Sequence, residues 1–360
     1  MAGTKGQKKP KRAADRLLDE VIARQLLFLR VREGLVAEQL ELFDDAYSRE
    51  MLATVVARLP QVPDLGWDTT PANSGRLAQL LAKLDDVAKE AFSKVAAKGT
   101  ASLVEAAKLE AAWAAKALKK VLPIEVRLGE ASLGYLRSIV VTRPFQGTHL
   151  KDWYKRLESD TKTRVRREIQ QGLQQGQSVQ AIARRLAGTK AAGYADGALA
   201  APRRQIEAVV RTAANHVSTH AREATYEANR GLISGVRWVS TLDSRTTLTC
   251  AALDGQVFEM GQGPRPPQHF ACRSTTVPVL RSWRELGFDR DEIPATTRAS
   301  LDGQVPADLT FEAWFQGRSE AFQKAYLGPA RFELYQQGLQ IRDMLTPSWK
   351  PLPVSALRAA

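Results

Sequence analysis

The chain has 360 residues, more than the roughly 100–200 of one ordinary domain, which excludes a lone peptide-like module and leaves ample chain for a buried core. Hydrophobic residues make up 44% and charged residues 25%. That is the balance of a soluble globular protein, and no apolar run approaches the ~18 residues of a membrane span. Only Cys250 and Cys272 carry thiols, so a disulfide framework is excluded and a reducing compartment is the simpler assumption.

Fifty-two basic residues against thirty-nine acidic ones give a net charge of +13, and residues 151–240 hold 16 basic and 8 acidic side chains. Such an excess suits contact with a polyanion through phosphate neutralisation. It equally suits a well-solvated helical surface, because charge alone carries no sequence specificity. Lys162, Arg164, Arg166, Arg167, Arg184 and Arg185 are the candidate non-specific DNA contacts.

Residues 1–12 are small, basic and Gly/Lys-rich, and are expected to form a disordered tail. No apolar signal-peptide core follows them. Residues 13–145 form a helical N-terminal region, with Leu17, Leu18, Val21, Ile22 and Leu26 opening the helical spacing. Gly34 and Gly99-Thr100 are predicted breaks, the Pro/Gly-rich segment 60–75 a loop, Pro123 a helix end and Ser138–Val141 a short strand.

Residues 146–235 continue as helices: Lys151 to about Leu173, Val179–Ala187 with Ser178 as N-cap, and about Arg203–Asn229. The middle pair has a helix-turn-helix outline. However, Gln180, Ala181 and Ala183 are helix filler rather than the short polar and basic side chains of a recognition helix. His216 and His220 lie four apart on the last helix, but Val217 stands where a metalloprotease of the His-Glu-x-x-His type needs its glutamate.

At Gly235 the texture changes. Residues 236–282 read as a small α+β unit: a strand over Val236–Leu242, Asp243 as turn or N-cap, a short helix from Arg245 to Leu253, and an Asp254-Gly255 turn. A returning strand follows at 256–258, then a loop that delivers residues 268–273, and a strand over Ser274–Leu280. Residues 283–360 close the chain as a helical and extended segment. The fold class is therefore mainly α with a small α+β unit, an extended helical body plus a compact clasp of short strands in the C-terminal half.

Cys250, His269 and Cys272 are the soft or borderline metal ligands of that unit. Zinc accepts Cys and His together, usually as four ligands, so a fourth would come from Asp243, Asp254, water or another chain. Three readings stay open: a structural zinc clip, a Cys250–Cys272 disulfide, and two buried thiols beside a hydrogen-bonded histidine. No cofactor is demanded by these residues; zinc is the candidate.

The string Trp238-Val239-Ser240-Thr241-Leu242-Asp243-Ser244-Arg245-Thr246, then Cys250, Leu253-Asp254-Gly255, and Pro266-Pro267-Gln268-His269-Phe270-Ala271-Cys272-Arg273 resembles the phage head morphogenesis or minor head protein family of the phage Mu protein F type. Trp238, Asp243, Arg245, Thr246, Asp254, Gly255, Pro267 and Arg273 carry the motif around the candidate ligands. The likeness covers about residues 150–280 and, more weakly, Leu309–Leu345. Many members have a second cysteine near the Arg-Thr pair, where this chain has Thr247 and Leu248.

The resemblance implies a low-copy, non-enzymatic component inside the virion head near the portal vertex, made in the host cytoplasm, acting in head assembly, DNA packaging or DNA delivery. Its implied partners are the portal protein, the major capsid or scaffold protein and packaged DNA, with no membrane. Two alternatives stand beside it. One is a metal-dependent nuclease or hydrolase using Cys250, His269 and Cys272 with Asp243 activating water; the other is a non-specific DNA-binding protein ejected with the genome.

Overall fold

The computed structural model describes residues 13–61, 71–122, 126–282, 284–285, 297–300, 303–306 and 308–359. The tail 1–12, Pro123 and most of the loop predicted at 60–75 lie outside these residues. Helix dominates: α1 (Ala13–Phe43) passes through a π-helical turn, Asp44–Ser48, into α2 (Arg49–Arg58). Then come α3 (Pro71–Val121), α4 (Leu133–Val141), α5 (Leu150–Gln174), α6 (Val179–Ala187) and α7 (Ala200–Glu227).

Three sequence expectations are corrected here. Neither Gly34 nor Gly99 breaks its helix. One glycine costs only about 1 kcal/mol in a helix interior, which the packing of buried Val36 and Phe43 outweighs for α1. At residue 99 the glycine is a packing device, since a Cβ there would collide with the Tyr154 hydroxyl. Residues 138–141 are the end of α4 rather than a strand. The β-branched run Ile139-Val140-Val141 favours extended backbone locally, but Leu136, Ile139 and Val140 fall on one helical face and are buried.

Beyond α7 the chain forms β1 (Ile233–Val239), α8 (Leu248–Leu253), β2 (Val257–Glu259) and β3 (Thr275–Leu280). These strands make an antiparallel sheet in the order β2-β1-β3, with Val236 opposite Phe258 on one side and Pro278 on the other. A hairpin of β4 (Thr297–Ser300) and β5 (Gly303–Pro306) follows, then α9 (Phe311–Gln316), α10 (Glu320–Leu327), α11 (Pro329–Gln336) and α12 (Val354–Ala359). Mainly α with a small α+β unit is the observed class. Among the described residues no helix is long and apolar enough to cross a membrane.

The chain divides into two compact units, each discontinuous in sequence: Met1–Leu29 with Ala107–Leu133 and Ser218–Ala360, and Arg30–Ala106 with Gly134–Val217. In the second, the rings of Phe43, Tyr47 and Phe92 meet with centroids 5.4–6.1 Å apart. Gly172 of α5 lets Ile182 of α6 approach so closely that a Cβ there would meet the Ile182 side chain at 2.5 Å. In the first, Val236, Val239 and Val277 of the sheet share a buried cluster with Val21, Leu118 and Tyr226. Phe311, Trp314, Phe315, Ile341 and Met344 build a second cluster with Leu242. A third, small cluster contains Trp238, Leu253 and both cysteines.

Candidate functional site

The site begins with Trp238 in the central strand β1, which is fully buried. Truncating such a side chain removes roughly 3–5 kcal/mol, so its surroundings must be closely built. Its indole Nε1 donates to Ser240 Oγ at 2.8 Å; that hydroxyl donates to the Cys250 carbonyl at 2.7 Å and lies 3.1 Å from Ser274 Oγ. One polar relay thus joins the end of β1, α8 and the start of β3 beneath the cysteines.

Asp254 fixes the opposite side of α8. Its Oδ1 accepts from the Ser240 amide at 2.6 Å and its Oδ2 from the Phe311 amide at 2.7 Å. The neighbouring Gly255 has φ +82°, and a Cβ there would lie 2.9 Å from Thr310 Cγ2. Its amide bonds back to the Trp238 carbonyl at 2.9 Å. The Asp-Gly pair is therefore a turn that needs glycine for both angle and space.

Asp243 accepts both guanidinium nitrogens of Arg273, Nη1 at 2.6 Å and Nη2 at 2.7 Å, and the Arg245 amide at 3.0 Å. Burial pushes its carboxyl pKa upward, but the Arg273 bonds and charge outweigh that and hold it below the usual aspartate value. The N-cap of α8 is Thr247, whose Oγ1 accepts from the Cys250 amide at 3.4 Å; Asp243 organises the preceding turn instead. Thr246 Oγ1 donates to the Thr241 carbonyl, and the Thr246 carbonyl accepts from Tyr326 Oη at 2.8 Å. The Arg245 side chain stays exposed, 3.7 Å from Asp243.

Cys250 and Cys272 are buried thiols not joined in a disulfide, with sulfurs 3.8 Å apart. His269 Nε2 lies 3.3 Å from Cys250 Sγ. Its Nδ1 sits 2.9 Å from the Phe270 carbonyl, which can only accept, so Nδ1 bears the proton and Nε2 presents its lone pair toward the sulfurs. The three ligand atoms lie within 4.8 Å of one another, and no other such cluster occurs among the described residues. Cys272, accepting from Cys250 and beside His269, titrates well below an ordinary thiol; the same Cys272 contact raises His269.

The loop carrying His269 is anchored in part by Arg265 and Glu223, which sequence reasoning missed. Arg265 donates through Nε to Glu223 on α7 at 2.5 Å and through its Nη atoms to the carbonyls of Gln262 and Glu259. Gln268 Nε2 returns to the Arg265 carbonyl at 2.7 Å, Pro267 is buried after a cis bond from Pro266, and Ala271 adopts φ +56°. A second missed feature lies on α7: Arg222, fully buried, donates to Gln25 Oε1 at 3.1 Å and Thr275 Oγ1 at 2.9 Å and lies 3.6 Å from Glu110. Its signal was a long helix whose polar residues do not stay on one side.

His216 is buried and His220 is 3.4 Å from Glu223; neither joins a ligand cluster. Of the six proposed DNA contacts, Lys162, Arg166, Arg167 and Arg185 are ion-paired to Glu158, Asp85, Glu168 and Glu168. Arg164 and Arg184 have no acidic partner among the described residues, and Arg184 is exposed.

Residues 163–277 match the family model described as Phage Mu protein F like protein. The match runs from within α5 into β3 and takes in Cys250, His269, Cys272 and the motif residues around them. No curated protein and no solved structure matches the chain.

Proposed function

We propose that this protein is a minor, structural component of a tailed-phage head, associated with the portal vertex and acting in head assembly, DNA packaging or DNA delivery. The observation that carries this reading is the family match over 163–277, which covers most of the clasp unit. The chemistry of that unit agrees. Both oxygens of Asp243 and both of Asp254 are bonded within the protein, so these carboxylates hold the fold together. A hydrolase would need Asp243 as the base for a water molecule, a role that its two-pronged pairing with Arg273 opposes.

The partners that follow are the portal and the capsid or scaffold protein, with packaged DNA as a non-specific neighbour. The net charge of +13 favours that neighbour, and of the six candidate contacts Arg164 and Arg184 are the two with no acidic partner among the described residues. The test is quantitative mass spectrometry of purified procapsids and mature virions. A few copies per particle are expected, with loss between procapsid and virion marking an assembly role and retention marking packaging or delivery. Absence from both particles would sink the proposal.

A further inference from the structure

We propose that Cys250, His269 and Cys272 form a zinc site in which the protein supplies two thiolates and one imidazole and water completes the coordination. Tetrahedral zinc, with Zn–S of about 2.3 Å and Zn–N of about 2.0–2.1 Å, requires sulfurs ~3.8 Å apart and a sulfur-to-nitrogen edge of ~3.6 Å. The Cys250 and Cys272 sulfurs stand 3.8 Å apart and Cys250 Sγ lies 3.3 Å from His269 Nε2. Two edges of the coordination polyhedron are thus already close to their zinc-bound lengths, and the third, between Cys272 and His269, lies within 4.8 Å.

Three further observations favour a metal over a pair of hydrogen-bonded thiols. The Phe270 carbonyl, 2.9 Å from Nδ1, selects the tautomer that leaves Nε2 as a donor, the outer support that metal-binding histidines commonly receive. The loop reaching His269 is held from outside by Arg265 on Glu223 and by Gln268 on the Arg265 carbonyl, beside the buried Pro267, so polar anchors fix it as well as packing. His269 is half-buried while both cysteines are buried, which opens one side of the cluster to solvent for entry of the ion and for the water ligand.

Zinc is the ion of choice because two thiolates with an imidazole in tetrahedral array suit it better than they suit calcium or magnesium. Its role is to tie the 261–271 loop to α8. The nearest candidate carboxylates, Asp243 and Asp254, have their oxygens bonded elsewhere, so the fourth position falls to water. This site is independent of the head assignment, and either can fail without the other.

The full chain, purified under reducing conditions and stripped with a chelator, is titrated with Zn²⁺ and then, separately, with Co²⁺. The expected result is about one zinc per chain with sub-micromolar affinity, a higher melting temperature when loaded, and thiolate-to-cobalt absorption in the near ultraviolet. His269→Ala keeps both sulfurs and alters a half-exposed position, and it should weaken zinc binding by at least ~100-fold while its metal-free melting stays near wild type. Cys272→Ser should lose the cobalt band; if it does not fold, the wild-type titration and His269→Ala decide alone. Folded, fully reduced wild type that takes up no Zn²⁺ overturns the proposal, as does equal affinity in His269→Ala, or a Cys250–Cys272 disulfide that persists in reductant.

Discussion

Arg273 grips Asp243 with both terminal nitrogens, at 2.6 and 2.7 Å, and so closes the turn between β1 and α8 onto the strand that leads away from the cysteines. A bidentate, partly buried pair of this kind is among the stronger polar contacts a protein makes. Asp243→Asn keeps the shape but loses the charge on one partner. It should lower stability by about 1.5–3 kcal/mol, read as a shift in denaturant midpoint. An unchanged midpoint would show that the pair contributes nothing net.

The same carboxylate adds a pH dependence. Its folded pKa lies below the ordinary aspartate value because Arg273 outweighs burial. Its stabilisation is therefore complete above the unfolded pKa, about 3.9, and is lost as pH falls through the lower folded value. Acid unfolding of the wild type should steepen below about pH 4, and Asp243→Asn should lack that component. Identical acid profiles would refute the shift.

Asp254, at the C-terminal end of α8, accepts two buried amides from elsewhere in the chain, those of Ser240 and Phe311. Asp254→Ala leaves two buried donors bare and should cost about 2–4 kcal/mol. Asp254→Asn retains one acceptor oxygen and should cost less than the alanine variant. A reversed order, measured by thermal melting, would mean that the aspartate is needed for its charge elsewhere.

Much of this site was legible because its residue types are rare: two cysteines and four histidines in 360 residues leave few ways to assemble a ligand cluster. The Asp254-Gly255 turn was readable from its dipeptide, and the Ser178 cap from an amide three residues on. Local rules failed where a distant contact decided. Thr247 caps α8 although Asp243 is the stronger capping type, because Arg273, thirty residues on, engages Asp243. Arg265 and Arg222 stand in no local motif, and only folding brings Glu223, Gln25 and Thr275 to them.

Gly235 sits in β1 opposite Glu259, where a Cβ would run into the Phe258 carbonyl oxygen. Backbone atoms cannot step aside as a side chain does. Gly235→Ala should therefore displace β2, destabilise the fold by roughly 1–3 kcal/mol, and raise amide exchange at residues 257–259 before that of β3. Uniform exchange across the sheet would argue against a local collision.

Glu110 and Arg222 present an asymmetry that double variants expose. Glu110 is fully buried and takes Arg24 through Nε at 2.8 Å and Nη2 at 2.6 Å, with Ser218 at 3.2 Å and Arg222 at 3.6 Å. Removing Arg222 leaves the carboxylate its bonds to Arg24. Removing Glu110 instead strands the buried Arg222 without an anion, and breaking a buried pair in that way costs about 3–5 kcal/mol. Glu110→Leu should therefore be clearly more destabilising than Arg222→Met. Combining them should recover part of the loss, because the fully buried Arg222 charge no longer stands uncompensated. Additive losses in the double variant, measured by chemical denaturation, would show that Arg222 is held by Gln25 and Thr275 alone.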